Sequence, residues 1–203
     1  MRISAEQFDS PFEFRVSDYL PYNLSMQSAL RSPAAILRFG LTAAVGTGLD
    51  LWTKSIAFST LQLHGEPYQF IPGLLDFEIV KNYGAVFGLG QGARVIFIAV
   101  SVGAIIFLSC LFATSGKRWV YQILLGMLLA GVLGNLYDRV TRGYVRDMIH
   151  ALPAWKDFFP WVFNVADSCL CTGVGLMVIY SIVAEYRGKK EIRNSRESRN
   201  ANG

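Results

Sequence analysis

Four apolar stretches, each about as long as a bilayer is thick, constrain this 203-residue chain more than any other feature. A helix needs ~20 mostly apolar residues to cross ~30 Å of hydrocarbon, and each stretch is near that length. The mean hydropathy of +0.34 is also higher than a soluble domain of this size usually has. The sequence therefore predicts an integral membrane protein, with spans at roughly 39–61, 95–114, 119–136 and 163–184.

Lysine and arginine residues flank these spans asymmetrically. Arg31 and Arg38 precede the first span, two basic residues lie between the second and third, and six follow the fourth. Short basic flanking segments stay on the cytoplasmic side of a membrane. We therefore expect both termini in the cytoplasm and segments 62–93 and 137–162 on the opposite side. This bias accounts for the net charge of +4 without a nucleic-acid partner.

The two ends of the chain differ in composition from its middle. The first 35 residues are polar and of mixed charge, without a basic and then apolar cleavable signal. The last residues are rich in Arg, Asn, Ser and Glu, a composition typical of disorder. The sequence predicts an N-terminal cytoplasmic extension over 1–35, a four-span domain over 36–187 and a basic, disordered cytoplasmic tail over 188–203.

The third span combines small residues with a polar outer end. Gly126, Ala130 and Gly134 have four-residue spacing, which lets another helix approach closely. Asn135, Asp138 and Arg139 then follow at i, i+3 and i+4, a spacing that places side chains on one helical face. An ion pair at the membrane interface would explain the last two residues without any catalytic role.

The sequence then places two further acids near the same membrane edge. Asp147 follows Gly143, which predicts a turn, and Asp167 lies near the start of the fourth span. Asn164 can cap that helix with Asp167 at its third position, and capping alone would explain this pair. Neither the interfacial ion pair nor the helix cap explains Asp147. Carboxyl groups at a bilayer rim are costly, and two that meet can share one proton, which suits activation of a water.

The first span carries charges of its own. Asp50 and Lys54 have i, i+4 spacing within an otherwise apolar segment. They either neutralise each other as an intrahelical ion pair or support a site at the outer membrane edge.

Other chemistries lack the residues that they need. His64 and His150 are the only histidines, and neither an HExxH nor a GxSxG motif occurs. A zinc site or a Cys–His nucleophile is therefore poorly supplied, and we expect no metal and no cofactor. The three cysteines lie inside apolar spans and are interpreted as small buried hydrophobes.

Five short motifs resemble those of the bacterial lipoprotein signal peptidases (signal peptidase II), which are four-span aspartyl proteases. They occur in the family's order and together cover about 39–185 of the chain. The motifs are DLWTK at 50–54, NYGAVF at 82–87, GNLYDR at 134–139, GYVRDMI at 143–149 and FNVADS at 163–168.

The resemblance implies that Asp147 and Asp167 form a catalytic dyad. Asp138 is then expected to support Arg139 rather than to act as a third catalytic acid. Arg146, directly before the first dyad residue, departs from the family pattern. The residues that the matching motifs place at or around the site are Asp50, Lys54, Asn82, Gly84, Asn135, Asp138, Arg139, Asn164 and Ala166.

The predicted fold is an all-α membrane protein with four transmembrane helices and a small β-rich extracytoplasmic element at 65–90. The resemblance implies a membrane aspartyl endopeptidase that removes signal peptides from diacylglyceryl-modified prolipoproteins, cutting before the lipidated cysteine. Its partners would be these substrates and membrane lipids. It would act as a monomer in the cytoplasmic (inner) membrane of a bacterium, with the site at the extracytoplasmic face. The alternative is a non-enzymatic four-span transporter subunit or assembly factor, in which the same charges form an ion-pair network.

Overall fold

A computed structural model of the protein describes residues 29–61, 66–84, 93–155 and 157–201. Within these ranges lie four helices that are long and apolar enough to cross a membrane, together with a small antiparallel sheet. The predicted four-span helical membrane fold is confirmed, and the protein is a multi-pass membrane protein. The helices are α1 (Pro33–Thr60), α2 (Arg94–Ala113), α3 (Trp119–Thr141) and α4 (Val165–Ala201).

Local sequence explains where α1 and α4 begin. Pro33 occupies the first turn of α1, and the Ser32 hydroxyl accepts a hydrogen bond from the Ala35 amide at 3.3 Å. The helix therefore starts earlier than predicted, and Arg38 lies inside it rather than before it. Phe163, predicted to open the fourth span, instead ends a short strand, so that α4 starts at Val165.

The sheet is assembled from both outer segments of the chain. Within the described part of the predicted β-rich element at 65–90 lie the first two strands of this sheet, and the other two come from a segment that was not predicted to form strands. Gly73 and Gly143 form turns with φ of +75° and +83°, a region that glycine enters without steric cost. In spatial order, the strands are β1 (Tyr68–Ile71), β2 (Leu75–Asn82), β3 (Val145–Ala151) and β4 (Val162–Phe163).

Small residues bring α1 and α3 into close contact, as predicted. A Cβ atom on Gly126 would lie 2.6 Å from the backbone oxygen of Phe39. A Cβ atom on Gly46 would lie 2.6 Å from the Cβ atom of Ala130. These distances leave no room for larger side chains, so the predicted small-residue stripe of α3 is a packing surface for α1.

Apolar side chains also cover the outer surface of the bundle. The cysteines, predicted to be buried, do not fit that prediction: Cys110 and Cys171 are exposed, and Cys169 is half-buried. An exposed position on a membrane-spanning helix contacts lipid or a cavity rather than water. Such a position suits a thiol as well as a buried apolar position does. The exposed apolar residues of α1 include Leu37, Leu41, Val45, Leu49, Trp52 and Ile56.

The two ends of the chain differ in what can be described. Most of the expected N-terminal extension, residues 1–28, lies outside the described residues. Over the residues of the predicted tail, α4 continues as a helix to Ala201. Glu185 and Lys189 pair at 2.7 Å, and Arg193 and Glu197 at 3.9 Å. Such i, i+4 pairs favour an exposed helix, and composition alone does not reveal them.

Candidate active site

The first turn of α4 is a capping box. Oδ1 of Asn164 accepts the backbone N–H of Asp167 at 2.9 Å, while Oδ2 of Asp167 accepts the backbone N–H of Asn164 at 3.3 Å. The predicted cap is therefore present, and it fixes the position of the Asp167 carboxyl at the helix start.

The side chain of Asp147, on β3, is held by two amides. The side-chain amide of Asn164 donates to Oδ1 of Asp147 at 2.6 Å, and that of Asn82 donates to Oδ2 at 3.0 Å. Asn82 ends β2, and its Oδ1 atom accepts the backbone N–H of Gly84 at 3.0 Å. Both oxygens of this carboxyl therefore have a donor, and each donor comes from a different element.

Two asparagines connect the two aspartates. The side-chain amide of Asn135, on α3, donates to Oδ1 of Asp167 at 2.8 Å. Its carbonyl oxygen accepts the side-chain amide of Asn164 at 3.2 Å, and Asn164 in turn holds Asp147. The residues from β3 and α4 thus belong to one hydrogen-bond network.

The electrostatic surroundings favour a proton on this pair. Burial, and secondly the negative charge of Asp167, raise the pKa of Asp147 to about 7. The hydrogen bonds from Asn82 and Asn164 and the charge of Lys54 oppose that shift, because they stabilise the ionised form. One carboxyl that keeps its proton near neutral pH, beside a second carboxyl, is a suitable pair for general acid–base chemistry.

Lys54 is completely buried among acceptors. Its ammonium lies 2.7 Å from Oδ2 of Asp50, 3.4 Å from Oδ2 of Asp138 and 3.1 Å from Oδ1 of Asn135. Oδ1 of Asp50 accepts the backbone N–H of Ala166, in the first turn of α4, at 2.8 Å. The Asp50–Lys54 ion pair is therefore present, and it also supports the site. The two alternatives given by the sequence, mutual neutralisation and support of the site, both apply to this pair.

Among the described residues, Asp138 makes no hydrogen bond or salt bridge with Arg139, although its negative charge favours the Arg139 cation. Its carboxylate instead binds Arg146, whose backbone N–H donates at 3.1 Å and whose Nε and Nη2 atoms lie 3.0 and 2.9 Å from Oδ1. Arg142 lies further away, at 3.7 Å. Adjacent helical residues point about 100° apart, so that Asp138 faces β3 while Arg139 faces elsewhere.

Arg139 lies between α2 and the end of β2. Its Nη2 atom donates to the backbone oxygen of Gly84 at 3.2 Å, and its guanidinium lies 5.1 Å from the ring centroid of Phe97. Arg94 supports the same helix end from α2, because its Nε and Nη2 atoms donate to the backbone oxygens of Arg139 and Val140 at 2.7 and 2.8 Å. The end of α3 is therefore tied to α2.

A cavity of about 680 Å³ opens onto both aspartates. Asp147, Asp167 and Arg139 form its polar end, while residues of α2, α3 and α4 supply a mainly apolar wall. A polar end and a mainly apolar wall fit a ligand that combines a polar group with hydrophobic parts. The apolar lining includes Phe97, Val100, Ala104, Val132, Phe159, Trp161, Val162, Phe163 and Leu170.

The network brings together all of the residues that the sequence placed at or around the site. Sequence reasoning missed the parts played by Arg146, Arg94 and Phe97. The sequence signal that could have found Arg146 is a charged residue directly beside Asp147, in a short run whose other residues are apolar. Among the described residues, no group of three or more His, Cys, Asp or Glu side chains could hold a metal ion.

Known proteins resemble this chain over the region that contains the site. Residues 42–183 match the family model described as signal peptidase (SPase) II. The lipoprotein signal peptidase of Enterococcus faecalis is 37% identical over 153 residues, which cover 74% of this chain and 91% of that protein. That of Neisseria meningitidis is 35% identical over 162 residues, covering 75% and 94%.

The fold is also similar to solved structures. A structure described as a bacterial membrane enzyme, determined by the in meso method at 2.3 Å resolution, has a TM-score of 0.65 and 32% sequence identity. The match covers 71% of this chain and 87% of the other. A second structure with the same description, at 1.9 Å resolution, has a TM-score of 0.62 and covers 70% and 90%.

Proposed function

The chain belongs to the signal peptidase II family, and on that premise we propose that it removes signal peptides from prolipoproteins, with Asp147 and Asp167 as its catalytic pair. The single observation that carries the aspartyl mechanism is the hydrogen-bond network in which Asn135 and Asn164 connect the two carboxyls at one end of a cavity. Family membership does not support the alternative of a non-enzymatic transporter subunit or assembly factor.

The chemistry begins with one proton shared between the two aspartates. The ionised carboxyl takes a proton from a water molecule, and the protonated carboxyl donates to the oxygen of the scissile carbonyl. The resulting hydroxide attacks the carbonyl carbon and forms a gem-diol. Collapse of the gem-diol breaks the C–N bond as the leaving nitrogen takes a proton from one carboxyl, while a gem-diol hydroxyl gives its proton to the other, so that the dyad again holds one proton. The two carboxyls titrate as a pair, so the proton belongs to the dyad rather than to one residue.

The asparagines and Arg139 orient the reacting groups in this proposal. Asn82 and Asn164 occupy both oxygens of Asp147, which limits its rotation. The Arg139 guanidinium lines the cavity beside the dyad, where its donors suit carbonyl oxygens of the substrate backbone. Donors that are already in place do not need to reorganise as charge develops on the carbonyl oxygen.

The apolar wall of the cavity supports a substrate that arrives from the bilayer. We propose that an apolar signal segment and the acyl chains of a diacylglyceryl-modified cysteine lie along α2, α3 and α4, with cleavage just before that cysteine. Lipid and the apolar wall are similar environments for these chains, so that their transfer contributes little free energy. The polar end of the cavity therefore decides which peptide bond is cleaved.

The distribution of basic residues indicates on which side of the membrane the site lies. We propose that the protein lies in the cytoplasmic (inner) membrane of a bacterium and acts as a monomer surrounded by membrane lipids. Its N-terminal extension, the link with Lys117 and Arg118, and its tail then lie in the cytoplasm. The sheet and the dyad lie at the extracytoplasmic face.

The proposed function is tested by cleavage of a purified, diacylglyceryl-modified prolipoprotein in detergent. The protein should release the signal peptide and leave the lipidated cysteine at the new N-terminus, as mass spectrometry would show. The same precursor without the lipid serves as the substrate control. A chelator should leave the rate unchanged, whereas activity that disappears with a chelator and returns with zinc would refute the aspartyl mechanism.

A further inference from the structure

Each proposed dyad residue directly follows a residue whose backbone N–H binds a buried carboxylate. On α4, the N–H of Ala166 donates to Oδ1 of Asp50 at 2.8 Å. On β3, the N–H of Arg146 donates to Oδ2 of Asp138 at 3.1 Å. The two chain segments that carry the dyad are therefore held in the same way, although they come from different elements.

One ammonium group joins these two carboxylates. Nζ of Lys54 lies 2.7 Å from Asp50 and 3.4 Å from Asp138, and all three side chains are fully buried. Through Asp50 and Asp138, this single atom therefore connects the backbone at Ala166, which precedes Asp167, to the backbone at Arg146, which precedes Asp147.

Arg146 completes a chain of alternating charges. Its guanidinium contacts Asp138 through Nε at 3.0 Å and Nη2 at 2.9 Å, and only 3% of the side chain is exposed. The order Asp50, Lys54, Asp138, Arg146 contains two negative and two positive groups and is neutral overall. Buried charges persist when each has a partner, and removing one partner leaves the others unbalanced.

None of these four charged side chains is among the described residues that line the cavity. They lie behind the dyad, in contact with α1, α3, β3 and α4, rather than in front of it. This position argues against direct contact with the substrate and favours a role through the backbone of the dyad residues.

We propose that Lys54 and Arg146 are positioning residues that set the separation of the Asp147 and Asp167 carboxyls. This inference rests on the proposed function, in which those carboxyls act together on one water. A misplacement of about 1 Å between reacting groups can cost about a hundredfold in rate. The ion chain therefore affects the chemical step rather than the affinity for substrate.

The test compares kcat and KM of Lys54→Met with those of the parent protein, per mole of folded, membrane-inserted enzyme. We expect kcat to fall about 10- to 100-fold while KM changes less than about threefold, because the groups that contact substrate stay in place. Arg38→Met is the matched control, since Arg38 lies in the same helix and donates to Gln122 instead of to the ion chain. Its kcat should stay unchanged.

Arg146→Lys provides a second variant, and it decides the matter if Lys54→Met does not fold. It keeps the positive charge but loses the planar pair of donors, so a fall in kcat would report geometry rather than the local field. Unchanged kcat in folded Arg146→Lys, or in folded Lys54→Met, would overturn the inference. So would a loss that appears only in KM.

The failure of this inference is distinguishable from failure of the proposed function. Asp147→Asn and Asp167→Asn test the dyad directly and do not depend on the ion chain. If both are inactive while the positioning variants keep full kcat, the dyad stands and the ion chain is only structural. If either dyad variant remains active, the aspartyl mechanism itself is wrong.

Discussion

The side-chain amide of Asn164 donates a 2.6 Å hydrogen bond to Oδ1 of Asp147. Asn164 is also the residue that caps α4, so one side chain connects the start of that helix to β3. A capping interaction that sequence alone explains as local therefore also joins the two elements that carry the proposed dyad.

Replacing either dyad aspartate by asparagine should stop cleavage without unfolding the protein. Asn preserves the size of the side chain but removes the acid, and each proton-transfer group is typically worth ~10²–10⁴-fold in rate. Because the two carboxyls act as a unit, Asp147→Asn with Asp167→Asn should be hardly slower than either single variant. Cleavage rates per folded enzyme check this. Multiplicative losses in the double variant would show that the two residues act independently.

The pH dependence of kcat/KM should have an alkaline limb near pH 7, because the pKa of Asp147 is raised to about 7 and the dyad must keep one proton. The hydrogen bond from Asn82 stabilises the ionised form, so Asn82→Ala should raise this pKa further and move the limb to higher pH. Lys81→Gln, on the neighbouring exposed residue, is the control and should leave the limb in place. A shift of the limb to lower pH in Asn82→Ala would contradict the assignment.

Gly134→Ala should destabilise the protein by about 1–3 kcal/mol, because overpacking a tight interface forces its neighbours apart. The added Cβ atom would overlap Oδ2 of Asp50 and would lie 3.2 Å from the Cβ atom of Ala166. Gly48→Ala is a matched control, since no atom lies within 4 Å of a Cβ atom there. The thermal unfolding midpoint in detergent measures both. Equal midpoints would mean that α1, α3 and α4 separate more easily than their packing indicates.

Deleting residues 1–28 should leave cleavage intact. The family match begins at residue 42, and the described core begins at Ala29, which is 1% exposed. A longer deletion, through residue 31, should lower the unfolding midpoint because it removes Ala29 from that core. A shorter protein that is folded and inserted but inactive would show that the N-terminal extension takes part in the reaction.

A reporter that is active only outside the cytoplasm should give no signal when fused after Arg199, because basic flanking segments stay in the cytoplasm. The same reporter inserted between Glu66 and Pro67, in the first outer segment, should be active and serves as the positive control. A strong signal at Arg199 would reverse the topology and place the dyad on the other side of the membrane.

Several features were predictable from the sequence because their causes are local. Membrane spans follow from runs of apolar residues, and the capping box of Asn164 and Asp167 follows from a spacing of three residues within one helical turn. The stripe of Gly126, Ala130 and Gly134 likewise follows from helical periodicity. Each of these is determined by residues that are close along the chain.

The partner of Asp138 was not predictable in this way. The helical spacing suggested Arg139, its neighbour in sequence, whereas the structure pairs Asp138 with Arg146. That contact depends on the turn at Gly143 and on the pairing of β3 with β2, which brings a strand back over the end of α3. Charge and spacing alone could not show which arginine lies on the side of the carboxylate.

By itself, the sequence determined the number of spans and the residue types available for chemistry, and its charge bias predicts which flanks are cytoplasmic, because hydropathy, charge and composition act along the chain. Only the tertiary structure decided that Asp50 caps the first turn of α4 from 116 residues away and that Lys54 joins Asp50 to Asp138. The reason is physical: a carboxylate in a dry interior must find a partner, and which partner it finds depends on how distant elements pack.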